Sequence, residues 1–335
     1  MKGRVEVHRL ACPALAGNAL GDPDERTCVV YLPPGYDRGG DRFPLVVLLH
    51  AFLGSAEGWL NVSPFAPTVP ERLDLLIADE GLPACIGVFP DGWNALGGSQ
   101  WTNSPATGRY RDAVVQDVLA WVEAAFRTVR RREARAVLGR SSGGHATWEL
   151  VRHHPEVFGH IASHSGDAYF EYCYLGDFPR VAGALLRAGG VVPWWQPFCV
   201  RARQTKMAGD DHAVINALAM AAAYSPKAGE PLGLELPFEP ETGELRPRVW
   251  ARWLAEDPVR FVAADVRPFA ALETVFIDCG SRDEFGLRWG ARMLARTLAQ
   301  AGAPVTHEEY DDGHMGTSYR FDRSLRLLLP RLARS

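Results

Sequence analysis

Short apolar runs alternate with stretches of helical periodicity along most of this chain. The runs are Thr27 to Leu32, Leu45 to His50, Ile86 to Phe89, Ala136 to Leu138, His160 to His164, Val275 to Ile277 and Val305 to Tyr310, each of strand length. Between several of them apolar positions recur every three or four residues, as from Asp112 to Phe126 and from Leu287 to Ala301, the spacing of one buried helix face. Strands alternating with helices predict an α/β protein with a mostly parallel sheet and helices on both faces.

The middle of the chain breaks this rhythm. Val192 to Phe198 contains Pro193 and Pro197 and reads as too proline-rich for a helix, Asp211 to Tyr224 has an alanine-rich helical pattern, and Ala228 to Pro247 is studded with proline, glycine and glutamate. An insertion of this length predicts a cap, dividing the chain into a first core part (1–180), a cap (181–265) and a second core part (266–335). Trp194 and Trp195 are its candidates for the wall of a substrate pocket, and Trp101 is a third; plain packing is the alternative for each.

One run ends in unusual company. Ala136, Val137 and Leu138 lead into Gly139-Arg140-Ser141-Ser142-Gly143, and a helix-compatible segment from His145 to His153 follows. Strand, Gly-x-Ser-x-Gly, helix is the context of a nucleophile elbow, with Ser141 as the nucleophile. A serine hydroxyl is a poor nucleophile at neutral pH, so a histidine must take its proton and a carboxylate must orient that histidine. Asp283 lies in the loop after the run Val275 to Ile277, and His314 follows the last run. Ser141, Asp283, His314 is the chain order of the α/β-hydrolases. Asp278 is the rival acid, but it falls inside the strand pattern, whereas Asp283 lies past the strand end, where sites of open α/β sheets gather. The oxyanion of a tetrahedral intermediate needs N–H donors. Ser142, after the nucleophile, offers one, and the loop after Leu45 to His50 offers another, from Phe52 first and Leu53 second.

These residues and their neighbours resemble the putative esterase family of α/β-hydrolases, which includes esterase D and S-formylglutathione hydrolase, enterochelin-type esterases, feruloyl esterases and the antigen 85 mycolyltransferases. The resemblance is carried by Val30 to Tyr36, Leu48 to Phe52, Phe89-Pro90-Asp91-Gly92, Gly98-Ser99 with Asn103-Ser104, the elbow, His154-Pro155 with Phe158, Cys279-Gly280 with Asp283, and Gly313-His314. Two departures stand out: Ala51 where the family usually has glycine, and Ser142 where many relatives carry a larger apolar residue. The resemblance implies an α/β-hydrolase fold and a serine esterase acting on a small-molecule carboxylic ester, with an acyl-enzyme on Ser141, His314 as general base and Asp283 as orienting acid. Acyl transfer to an alcohol or sugar is the alternative outcome of the same acyl-enzyme, and a non-catalytic binding protein is the reading from another class, since fold does not guarantee function.

Composition narrows the partners. A formal net charge of −4 leaves no electrostatic footprint for nucleic acid. No segment approaches the roughly 20 apolar residues of a membrane span, and the N-terminus lacks a secretory apolar stretch, so no membrane partner and a cytoplasmic location are expected. Six cysteines without a C-x-x-C pair read as reduced, mostly buried thiols. His153, His154, His160 and His164 fit no zinc spacing, and no phosphate-loop or dinucleotide fingerprint occurs, so neither a metal nor a cofactor is expected. Association as a homodimer is left open.

Overall fold

Every apolar run of the sequence is a strand of one eight-stranded sheet in the computed structural model, which describes residues 1–333. Arg334 and Ser335, the end of the expected second core part, lie outside the described residues. The strands are β1 (Arg4–Ala11), β2 (Glu25–Leu32), β3 (Leu45–Leu49), β4 (Ile86–Pro90), β5 (Arg135–Arg140), β6 (His160–His164), β7 (Thr274–Gly280) and β8 (Val305–Tyr310). Their order is β1-β2-β4-β3-β5-β6-β7-β8. The pairs β1/β2 and β2/β4 are antiparallel, and all others are parallel. β1 has no counterpart among the apolar runs because it is an edge strand with only Leu10 fully buried, and its side chains alternate apolar and charged.

Strand geometry sends successive side chains to opposite faces, so one short run feeds two cores. Leu45, Val47 and Leu49 of β3 join a cluster with Ala146, Trp148, Leu150 and Val151 of the helix Ser142–His153 and with Leu287, Leu294 and Leu298 of the helix Leu287–Gln300. Val46 and Leu48 of the same strand pack on the other face against Leu73 and Leu76 of the helix Val69–Ala78 and Phe321, Leu325 and Leu328 of the helix Phe321–Leu332. Each fully buried side chain of this size contributes about 1.5–3 kcal/mol. The helical pattern from Asp112 to Phe126 is realised with a π-helical stretch, Ala113–Val118, between α-helical ends.

A third apolar cluster belongs to the middle of the chain. It contains Phe170 and Tyr174 and is built mainly from four helices, α1 (Phe178–Ala188), α2 (Val191–Gln204), α3 (Asp211–Tyr224) and α4 (Pro247–Ala255). α3 is buried nearly all round, as its alanine content permits. The boundaries differ from those expected: Phe170 and Tyr174, before residue 181, are already in this cluster, while Phe261 and Val262, before residue 265, pack with the core of the sheet. The stretch Val192 to Phe198 is helical, contrary to its proline content. Pro193 stands in the first turn, where no N–H is needed, and Pro197 is offset by the stacking of Trp194 on Phe198, with ring centroids 4.7 Å apart. Among the described residues no helix is long and apolar enough to cross a membrane.

Candidate active site

The turn from β5 into the helix Ser142–His153 is a sharp one. Ser141 sits at φ 55° and ψ −121°, a conformation that costs a non-glycine residue about 1–3 kcal/mol and persists only when its surroundings enforce it. Here they do. Ser141 N–H donates to His164 O at 2.9 Å, and His145 N–H donates to Ser141 O at 2.9 Å. The flanking glycines are required by close approach: a Cβ on Gly139 would lie 2.2 Å from Gly143 O, and one on Gly143 would lie 2.1 Å from Leu49 O.

The two candidate acids, Asp278 on β7 and Asp283 in the loop after it, have separate partners. His314 Nδ1–H donates to Asp283 Oδ2 at 2.8 Å, both side chains being buried. Asp283 is itself held by the N–H groups of Phe285 (3.0 Å) and Leu287 (3.4 Å), which accounts for a buried carboxylate without a permanent cation. The loop carrying His314 is stitched to the loop carrying Asp283 by Ser281 N–H to Tyr310 O (2.8 Å), Arg282 N–H to Asp312 O (3.0 Å) and His314 N–H to Glu284 Oε2 (2.7 Å). Asp278, by contrast, bonds His164 Nδ1 and Arg320 Nε, each at 2.8 Å, and faces a buried network that ties β6 and β7 to the segment before the last helix.

The loop after β3 is clamped in the same manner. Gly92 N–H donates to His50 Nε2 (2.8 Å), so Nδ1 carries the proton given to Ala51 O (2.9 Å) and the ring is a neutral strut. Leu53 N–H is used by Gly97 O (2.9 Å) and Gly54 N–H by Ala51 O (2.9 Å). Among the described residues no acceptor takes the Phe52 or the Ser142 N–H. Of the two loop donors considered, Phe52 is therefore the one available, and Leu53 is not.

Ser141, His314, Phe52 and Arg140 line one cleft of about 600 Å³, together with Trp59, Asp167, Tyr174, Phe285 and, from α3, His212 and Asn216. His212 and Asn216 stand one helical turn apart on α3, and burial pulls the His212 imidazole below the ordinary histidine range. Asp167 has no counterpart in the sequence reading. Its Oδ1 accepts the Ser141 hydroxyl at 3.3 Å, and its Oδ2 accepts Gln100 Nε2 and Tyr174 OH, each at 3.0 Å. Burial, and then the Asp167 charge, push the Tyr174 hydroxyl well above its usual range, so it remains a donor. Asp167 lies after β6, and the strand-end rule that selected Asp283 would have found it as well.

The three tryptophans do not line the cleft. Trp101 is 2% exposed and donates its indole N–H to His50 O at 3.1 Å, bracing the loop after β3 from behind. Trp194 is buried in the helical cluster and Trp195 packs against that cluster. The aromatic side chains that do reach the cleft come from Phe52, Trp59, Tyr174, Phe285 and Phe321. Apolar sequence context cannot tell a pocket wall from a core, because both bury the same rings. Of the clustered histidines, His160 meets Thr274 and Glu133 and His164 meets Asp278 and Ser324, all within the fold.

Residues 18–322 match the family described as Putative esterase. Over 184 residues, 52% of this chain, the sequence is 27% identical to Esterase Rv1288 of Mycobacterium tuberculosis, and the match spans only 37% of that relative's length. Among solved structures the chain resembles a ferulic acid esterase (17% identity, TM-score 0.62, covering 99% of this chain and 98% of that one). It also resembles an S-formylglutathione hydrolase from Agrobacterium tumefaciens (15% identity, TM-score 0.59, covering 99% and 96%). At such identities the structural likeness speaks for the fold. With nearly its whole length matched and its sheet in the order described, the chain belongs to the Putative esterase family and has the α/β-hydrolase fold.

Proposed function

We propose that this protein is a serine esterase that hydrolyses a small-molecule carboxylic ester through an acyl-enzyme on Ser141. The observation that carries the reading is the 2.8 Å bond between His314 Nδ1 and Asp283 Oδ2, in a histidine that shares its cleft with a serine at a strained elbow. With Nδ1–H committed to the carboxylate, His314 Nε2 is the basic nitrogen. Ser141 Oγ gives its proton to that nitrogen as it bonds the ester carbonyl carbon, and the carbonyl oxygen takes its negative charge between the Phe52 and Ser142 N–H groups. Collapse breaks the bond to the leaving alcohol, which takes the proton from His314. Water then repeats the sequence on the acyl-enzyme and releases the acid. Before the first step the Ser141 hydroxyl has to leave Asp167, to which it donates in the structure described here.

The helical region from Phe170 to Leu254 acts in this reading as a cap that selects the ester. Cys173 and Tyr174, Met207, and His212 and Asn216 of α3 are its side chains in the cleft. The test is a burst of 4-nitrophenol from 4-nitrophenyl acetate together with fluorophosphonate labelling. A burst, and an adduct mapped to Ser141, are expected; labelling of Ser142 instead, or no burst and no adduct, would overturn the proposal.

A further inference from the structure

One cation in the cleft has no counter-charge among the described residues. Arg140 occupies the first x of Gly-x-Ser-x-Gly, half-buried at the end of β5, and among the described residues its guanidinium forms no hydrogen bond or ion pair. Arginines set comparably deep behave otherwise: Arg111 meets Glu149 at 3.1 Å, Arg135 meets Glu123 at 2.5 Å and Arg320 meets Asp278 at 2.8 Å. Taking a guanidinium partly out of water without a partner is unfavourable, and its five donors are arranged to hold a carboxylate with two parallel bonds. Burial also lowers the Arg140 pKa, with Tyr310 acting in the opposite direction. The indole N–H of Trp59, another residue of the cleft, is buried with no acceptor among the described residues.

We propose that Arg140 holds a carboxylate carried by the ester substrate, so that the enzyme selects esters with an anionic end. This deepens the esterase reading and rests on it. The carboxylate could belong to the acyl part, as in a monoester of a dicarboxylic acid, or to the alcohol part, and the two sources are separable.

The experiment compares kcat/KM for two pairs of esters. Mono-4-nitrophenyl adipate against 4-nitrophenyl hexanoate tests the acyl part, and 4-carboxyphenyl acetate against phenyl acetate tests the alcohol part. The wild-type protein is expected to favour the charged member of one pair by about tenfold or more, chiefly through KM. R140M should remove that preference, and R140K, which keeps a charge but not the planar fork, should restore part of it. A wild-type ratio at or below one in both pairs, or an undiminished ratio in R140M, overturns the proposal. Titration calorimetry of the wild-type protein with adipate and with neutral adipamide reads the same site without turnover and without a variant. Heat of binding for adipate alone supports the site, while equal binding of both or of neither overturns it. Failure to cleave any of the four esters, beside a positive adipate titration, would count against the esterase reading and leave the anion site standing.

Discussion

The loops at the carboxyl ends of β3, β5 and β7 are held by backbone contacts with almost no slack, whereas the helical region from Phe170 to Leu254 is held chiefly by the packing of apolar side chains. At the first, a methyl group on Gly139, Gly143 or Gly280 would come within 2.4 Å of a backbone oxygen. At the second, a cluster of alanine, leucine and aromatic side chains meets with no comparable demand for any one residue. Substitutions in the floor should therefore be felt in the chemistry, and substitutions in the helical region in stability and selectivity.

The largest test of that contrast is the pair of acids. Asp283→Asn should leave the fold intact and lower kcat by roughly 10³ to 10⁴, because the imidazole loses the partner that sets its tautomer. Asp278→Asn should instead destabilise by about 3–5 kcal/mol, since Arg320 and His164 would be left with an incomplete buried network. Paired kinetics and melting curves check both, and the reverse pattern would transfer the orienting role to Asp278.

Next comes the helical region. Trp194→Ala removes a buried ring stacked on Phe198 and should cost about 3–5 kcal/mol in a denaturant titration, while kcat for the smallest acetate ester changes little in the folded fraction. A loss of kcat without a loss of stability would place Trp194 in the chemistry and break the comparison.

Smaller still is the change expected from Ser142→Ala, about tenfold or less in kcat, because the backbone N–H survives the loss of the hydroxyl. Steady-state rates on one ester suffice to measure it.

The smallest effect is one of pH. Burial lowers the His160 and His212 pKa values from 6.5, so between the folded and unfolded values the unfolded chain binds more protons. Their contribution to stability is complete above 6.5 and is lost as pH falls through the lowered values. Melting temperature should decline between about pH 7 and about pH 5, and His160→Gln should flatten part of that decline. A melting curve independent of pH over this range would show that these imidazoles are not penalised by burial.

Legibility followed the range of the contacts. The elbow is readable because Gly139, Ser141 and Gly143 lie within five residues of one another, although the contact that excludes a side chain at Gly143 is with the distant Leu49 O, and Asp283 stands out from Asp278 because a strand end can be located from an apolar run. Asp167 lies just past a readable strand, but its meaning depends on Gln100 and Tyr174, which only folding brings beside it. The helix across Pro193 and Pro197 was misread for the same reason: local propensity opposes it, and tertiary packing of Trp194 and Phe198 overrides propensity.

The sequence by itself determined the α/β alternation, the positions of seven of the eight strands of the main sheet and the residues whose spacing suits nucleophilic chemistry, since hydrophobic periodicity and short motifs are local properties. Tertiary structure decided which N–H groups stay unclaimed, why Asp278 is a brace, that Trp101 and Trp194 are core while Trp195 packs against it, and that Arg140 has no counter-charge among the described residues. Those are statements about partners distant in sequence, and whether a polar group is paired can be settled only where the whole chain has come together.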